Sequence, residues 1–421
     1  MTADTMVYWL TIAIFSFTYL GLAIGKIPGL RADRAGIALA GAAMMLGCRS
    51  LSFEGAVKAV DFATIVLLLG MMIVVAFLRR AGFFELLARW ALARLHRPAA
   101  LLAATMLLSG GLSALLVNDV VCLALTPLVL HLASEKSLDP KPYLIGLAVA
   151  SNVGSTATLT GNPQNMIIGG LSQISYLRFA AKLAPIAILG LVVAYIITAI
   201  VFRVPFSSAG EAESPAEEES IGPKPLSAPR RRLLTKSVLV TCLAIGLFAA
   251  GAPLAIVALG AAAILLLDRV EPKKIYRQVD WGLLVMFAGL FVVVEAFQVH
   301  VLAPSGIEHW RALAENPIVL LSLVSAFLSN LVSNVPAVLL FENVIPAMSP
   351  EVRETAWLAL AMSSTLAGNL TVLGSVANLI VVENARSEGV LVSLVDYCRV
   401  GVPVTLATLA IGMAWLSWVH Y

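Results

Sequence analysis

Apolar runs recur along the chain at about 7–24, 35–48, 62–78, 183–203, 234–250, 253–268, 281–299 and 398–419. Two more, 143–172 and 355–383, are each cut once by a short cluster of Gly, Asn, Ser or Thr. A further pair, 98–133 and 316–348, is interrupted near the centre by polar residues. Segments of about 17 to 25 apolar residues match the roughly 30 Å hydrocarbon core of a bilayer. The pattern predicts an all-α polytopic membrane protein: about ten transmembrane helices, two of them broken, and two re-entrant helical hairpins at 98–133 and 316–348. The first run ends at Lys26 without the basic leader and small-residue cleavage site of a signal peptide, and reads as a retained helix.

Composition agrees. Hydrophobic residues make up 60% of the chain and charged residues 13%, with a mean hydropathy of +0.93, which excludes a large soluble domain. Cys48, Cys122, Cys242 and Cys398 are far apart, with no CxxC and no His/Cys cluster of metal-ligand spacing. Neither a disulfide framework nor a metal or cofactor site is expected, and the thiols read as small hydrophobes.

One segment breaks the apolar pattern. Residues 204–233 are acidic, then basic, and rich in Pro and Ser, which reads as a flexible linker between a first half at 1–203 and a second at 234–421. The halves resemble each other. VDFATIVLLLGMMIVVAF from Val60 aligns with VDWGLLVMFAGLFVVVEAF from Val279, pairing Asp61 with Asp280 and Gly70 with Gly289. GLSALLVND aligns with FLSNLVSNV, pairing Asn118 with Asn334, and LTGNPQNMII with VLGSVANLIV, pairing Gly161 with Gly374 and Asn165 with Asn378. Three matches in the same order mark an internal repeat.

Charge sets the expected sidedness. With the N-terminus outside and non-crossing hairpins, one face holds 22 of the 28 Lys and Arg residues and the other holds six. The positive-inside rule places the 22 in the cytoplasm, with the linker, and both termini outside. Five crossings per half is an odd number, so the second copy is inverted. Full crossings in place of the hairpins would give the same sidedness.

Paired broken helices in inverted repeats point to a secondary transporter's binding site near the bilayer midplane. Unpaired backbone groups at that depth cost several kcal/mol each unless protein or a water-filled cavity satisfies them. The first half offers Asn118 at the tip of its hairpin, with Thr158, Thr160, Gly161, Asn162 and Asn165 at its break. Pro163 suits the first turn of the next half-helix, which needs no N–H donor. The second half offers Ser333 and Asn334, with Asn369, Thr371, Gly374, Ser375 and Asn378. These are the candidate substrate-binding residues; the competing reading is that they only cap helix ends.

An intramembrane carboxylate is expensive and functional by default. Asp119 lies beside Asn118 in the hairpin tip and is the first candidate for proton coupling, followed by Glu342 and Glu295. Asp61 and Asp280 begin apolar spans and read as helix caps. The segment FFELLARWALARLHR from Phe83 has the pattern of an amphipathic helix lying on the cytoplasmic membrane surface, in contact with lipid.

At these residues the chain resembles the ion transporter superfamily. VNDVVCLALTPLV and LSNLVSNVPAVLL are similar to the hairpin motifs of its arsenite/antimonite permease family, while TGNPQNMII is closer to a loop shared by its anion permease, dicarboxylate and Na⁺/H⁺ antiporter members. The resemblance implies an elevator-type secondary transporter in the inner (plasma) membrane, with no chemical conversion of its solute. It leaves open a homodimer and a soluble ATPase partner; no nucleic acid is expected. None of the four breaks contains Lys or Arg, whereas the hydroxyls of arsenite or antimonite need only the amide and hydroxyl partners present. Proton-coupled arsenite/antimonite efflux is the leading expectation. A Na⁺- or H⁺-coupled carboxylate or inorganic anion transporter, and a Na⁺/H⁺ antiporter, are the alternatives. An intramembrane protease would require a Ser/His pair, two facing Asp residues or an HExxH motif, and none lies within the spans.

Overall fold

The computed structural model describes residues 3–24, 33–92, 95, 97–205, 227–302 and 311–420. Most of the expected linker, 206–226, and most of the first loop, 25–32, lie outside the described residues. Every regular element described is helical.

The first half runs through α1 (Ala3–Ile24), α2 (Arg34–Gly47), α3 (Phe53–Ala59), α4 (Phe62–Ala81) and α5 (Phe83–Leu92). Hairpin 1 follows as α6 (Pro98–Leu115) and α7 (Asn118–Glu135), then the broken helix α8 (Lys141–Ser155) and α9 (Pro163–Ser172), and α10 (Tyr176–Val201). The second half repeats the order as α11 (Ala228–Ala249), α12 (Leu254–Leu266), α13 (Pro272–Tyr276) and α14 (Trp281–Phe297). Hairpin 2 is α15 (Val319–Val332) and α16 (Asn334–Leu339), the second broken helix is α17 (Pro350–Ala367) and α18 (Val376–Ser387), and α19 (Leu394–His420) ends the chain.

Among the described residues, seven helices are long and apolar enough to cross a membrane. Six are expected crossings: α1, α4, α10, α11, α14 and α19. The seventh is α6, an arm of hairpin 1. Yet the backbone N–H of Asn118, just past the turn, donates to the carbonyl of Gly161 at 3.0 Å, in the gap between α8 and α9. The tip of hairpin 1 therefore meets the broken helix at its midpoint, not at its far end. The other expected crossings are α2 and α12, of 14 and 13 residues, and the two broken helices. The return arm of hairpin 2 is helical only as far as Leu339 and continues in turns, where the apolar pattern predicted a full arm. Glu342 and Asn343 interrupt the apolar face there, and Pro346 offers no N–H to a continuing helix.

The halves match in their contacts. α2 packs on α14 and α12 on α4, and both crossings turn on an aligned glycine. A Cβ on Gly70 would sit 2.7 Å from the carbonyl of Ala258, and one on Gly289 would sit 2.8 Å from that of Ala38. Side chains there would push the helices apart. Asp61 and Asp280 both cap their helices, accepting from the N–H groups of Ala63 and Leu283. At the centre, α7 packs on α18 and α9 on α16, so each hairpin leans on the other half's broken helix.

Candidate solute-binding site

Each break exposes carbonyls that a continuous helix would have paired, and one asparagine per half answers them. Asn165 Nδ2 donates to the carbonyls of Ser155 (3.1 Å) and Thr158 (3.0 Å). Asn378 Nδ2 donates to those of Gly368 (2.8 Å) and Thr371 (3.1 Å). Both reach back ten and seven residues, so the aligned asparagines perform the same local task. Glycine makes the turns possible: a Cβ on Gly161 would overlap the Ser155 carbonyl, and one on Gly374 would lie 2.8 Å from the Gly368 oxygen.

The network then crosses between the halves. Asn162 Oδ1 caps α9 through the Asn165 N–H at 2.8 Å, while its Nδ2 donates to Ser155 Oγ and to Thr365 Oγ1 at 3.0 and 3.2 Å. Thr365 in turn faces Asn165 Oδ1 at 3.4 Å and accepts from Gln164 Nε2 at 3.2 Å. On the other side, Asn152 Nδ2 donates to Asn369 Oδ1 and Asn378 Oδ1, both at 2.9 Å. Its Oδ1 accepts from Asn118 Nδ2 at 3.1 Å and Ser375 Oγ at 3.0 Å. All four hydrogen-bonding positions of the Asn152 amide are used, and the residue is 1% exposed.

Asn152, Thr365 and Gln164 escaped the sequence reading. Asn152 is a lone amide in the run LIGLAVASNVGS, and Thr365 stands in AMSSTLAG. The available signal was alignment of the breaks. With Gly161 set on Gly374, Asn152 falls on Thr365, and each touches the other half's break.

A cavity of about 520 Å³ opens beside this network. Asn118, Asp119, Ser333, Asn334 and Ser375 line it from the hairpins and breaks, with Gln164 beside them. Asn165, Asn369 and Asn378 do not; they are fully buried behind it. Thr158 and Thr160 tie the first break to hairpin 1, bonding the carbonyls of Ala114 and Leu115, and Thr160 also meets Tyr176 OH at 3.1 Å. Thr371 contributes its carbonyl to Asn378. Ser333 turns hairpin 2 with φ +79° and ψ 158°. That region is essentially reserved for glycine and costs a serine of order 1–3 kcal/mol. Asn334, with its amide nitrogen turned to the acceptors, reaches the carbonyls of Ser364 (3.1 Å) and Gly374 (3.3 Å).

The cavity walls carry more acceptors than donors. Asn118 Oδ1 is buried and has no partner among the described residues. Asp119 is half-buried and faces Asp280 across the space. Asp33 and Glu383 add two more carboxylates, and Arg34 is the one cation among the described residues that line it. Asp33, Arg34 and Asp280 come from the starts of α2 and α14, and tertiary packing alone brings them here. Glu342 and Glu295 do not line the cavity; they are half-buried beside one another near hairpin 2, with Asp61 and Tyr19 as electrostatic neighbours.

Comparison with known proteins fits this architecture. The citrate transporter family model matches residues 19–367. The silicon efflux transporter LSI3 of Oryza sativa subsp. japonica is 30% identical, over 92% of this chain and 93% of its own. A 46 kDa membrane protein of Mycobacterium leprae is 29% identical over 98% of both chains. A putative transporter arsB of Dictyostelium discoideum is 24% identical over 90% of this chain and 86% of its own. The crystal structure of the Alcanivorax borkumensis YdaH transporter superposes with a TM-score of 0.58 at 15% identity, covering 99% and 98% of the two chains. The family match is therefore to citrate transporters, where the hairpin motifs had suggested arsenite permeases. With seven apolar membrane-length helices, paired broken helices and named transporters among its relatives, this chain is a multi-pass membrane transporter belonging to the citrate transporter family of the ion transporter superfamily.

Proposed function

We propose that the chain exports a small neutral polyhydroxide, arsenite or antimonite, in exchange for protons. The observation that supports this reading is the acceptor-rich cavity: among the described residues, four carboxylates and the unpaired Asn118 Oδ1 line it with one guanidinium. A multiply charged anion would meet repulsion there, whereas a solute with hydroxyl donors finds partners. Silicic acid presents the same chemistry as arsenous acid, in keeping with the silicon efflux relative.

Charge sidedness supports loading from the cell. Asp33, Asp280 and Glu383 lie close to the loops that positive-inside counting assigns to the cytoplasm, so the cavity opens inward, ready to load from the cell. Hairpins and broken helices then move as one body against the α1–α4 and α11–α14 scaffold. Asp119, on the moving part, carries the proton. Cysteines placed in 206–226 should react only with membrane-permeant reagents; labelling by an impermeant reagent from outside would reverse this assignment.

Arg34 and the family match favour a second reading, Na⁺- or H⁺-coupled transport of a carboxylate or inorganic anion, with Na⁺/H⁺ exchange a further variant. Purified protein in liposomes separates them. Uptake of arsenite, antimonite, silicic acid, citrate, succinate and Na⁺ is compared under imposed pH and Na⁺ gradients. Accumulation of arsenite or antimonite driven by ΔpH is expected; citrate accumulation without either metalloid would overturn the proposal.

A further inference from the structure

A second cavity, of about 410 Å³, lies away from the solute site, between α5 and the end of hairpin 1 farthest from its tip. Its floor is apolar: Ala88, Leu128 and Leu132. Its rim carries one cation from each wall, Arg89 on α5 and Lys136 at the end of α7. Neither makes an ion pair among the described residues. Glu85, one helical turn before Arg89, lies 4.0 Å from the guanidinium of Arg230. Glu135, which lines the cleft together with His131, has the imidazole Nε2 3.0 Å from its carboxylate. The described charges of the cleft itself are thus two cations and the one carboxylate of Glu135.

We propose that this cleft binds the phosphate of an anionic phospholipid. α5 is amphipathic and leaves α4 at the membrane boundary, so the cleft stands at headgroup depth. An apolar floor below two separated, unpaired cations matches the polarity of a glycerophospholipid, with its glycerol and upper acyl carbons on the leucines and its phosphate between Arg89 and Lys136. Clustered basic residues at this level attract anionic lipid at about 1 kcal/mol each, roughly fivefold in affinity. Arginine can hold a phosphate by two parallel N–H donors, while lysine contributes a point charge. The site also joins two differently placed elements. α7 begins at Asn118 and Asp119 and ends at this cleft, so the lipid bridges the substrate-facing hairpin to the amphipathic α5. Membrane composition would then set how readily hairpin 1 moves.

The test is native mass spectrometry of the purified full-length protein with short-chain phosphatidylglycerol, phosphatidylcholine, glycerol phosphate and inorganic phosphate as separate probes. Wild type should retain phosphatidylglycerol in preference to phosphatidylcholine. Arg89→Gln with Lys136→Gln should weaken that retention roughly 25-fold, while Arg89→Lys with wild-type Lys136 keeps most of it. Because both side chains are at the surface, thermal unfolding should be unchanged, which separates lost binding from lost fold. Equal retention of the two lipids, or equal binding by wild type and the double variant, overturns the site. Glycerol phosphate or inorganic phosphate binding more tightly than the lipid overturns the assignment to a membrane source.

Discussion

Asn152, in the first half of the chain, donates a side-chain N–H to Asn378 Oδ1 in the second, 2.9 Å away and 226 residues on. Asn378 in turn closes the second break, so one amide ties a half-helix of one repeat to the unwound backbone of the other. The same Asn152 oxygen holds the Asn118 amide nitrogen, leaving Asn118 Oδ1 unpaired at the cavity wall. The solute site and the junction between the halves share this one network.

Asn152→Leu should therefore disrupt both. It strips partners from Asn118, Asn369, Ser375 and Asn378, each a buried polar group whose loss of pairing costs about 1–3 kcal/mol. A loss of at least several kcal/mol is expected, read as a lower unfolding temperature in detergent. Transport should be abolished. Asn152→Asp keeps the acceptor toward Asn118 but sets a buried carboxylate oxygen against Asn369 Oδ1 and Asn378 Oδ1, and should also be destabilising.

Asn165→Leu and Asn378→Leu should behave alike, since each frees two carbonyls at equivalent points. Either substitution should remove transport while the protein still inserts, measured by flux in vesicles and by recovery from the membrane fraction. Full activity in one and none in the other would refute the equivalence of the two breaks.

Asp119→Asn preserves shape and hydrogen-bonding capacity while removing the titratable group. If this carboxylate carries the proton, the variant loses uphill solute movement driven by ΔpH but retains downhill exchange. Should vesicles bearing the variant still concentrate solute under an imposed ΔpH, the proton travels by another route, and the Glu342–Glu295 pair is the next place to substitute.

Gly154 on α8 and Gly111 on α6 give a packing test. A Cβ on Gly154 would overlap the backbone of Gly110, so Gly154→Ala must part α6 from α8 and should cost about 1–3 kcal/mol. A Cβ on Gly111 meets nothing within 4 Å. Gly111→Ala, next to Gly110 in the hairpin arm α6, should be neutral or stabilising by up to about 1 kcal/mol. Comparing the two unfolding temperatures checks the α6–α8 contact.

The sequence by itself determined where this chain is helical and where its helices break. Hydropathy is summed locally, and Gly, Pro and Asn act on the backbone next to them. Gly161 and Pro163 could thus be placed at a break, Asp61 and Asp280 at caps, and Asn165 opposite Asn378, from residues within a turn or two of each. Tertiary structure alone decided which polar groups meet. An asparagine in an apolar helix looks the same in sequence whether it faces a partner or serves another purpose, so Asn152 became visible as the hub only once α8 lay against α18. Packing likewise turned Asn165 and Asn378 toward their own carbonyls and away from the cavity, because unpaired backbone at that depth is costlier than an unfilled solute site. It also drew Asp33, Arg34 and Asp280, which a local reading takes for ordinary helix starts, into the cavity wall. The acceptor-rich character that bears on substrate class arises from that assembly, since charges distant in sequence add their fields only when folding brings them to one space.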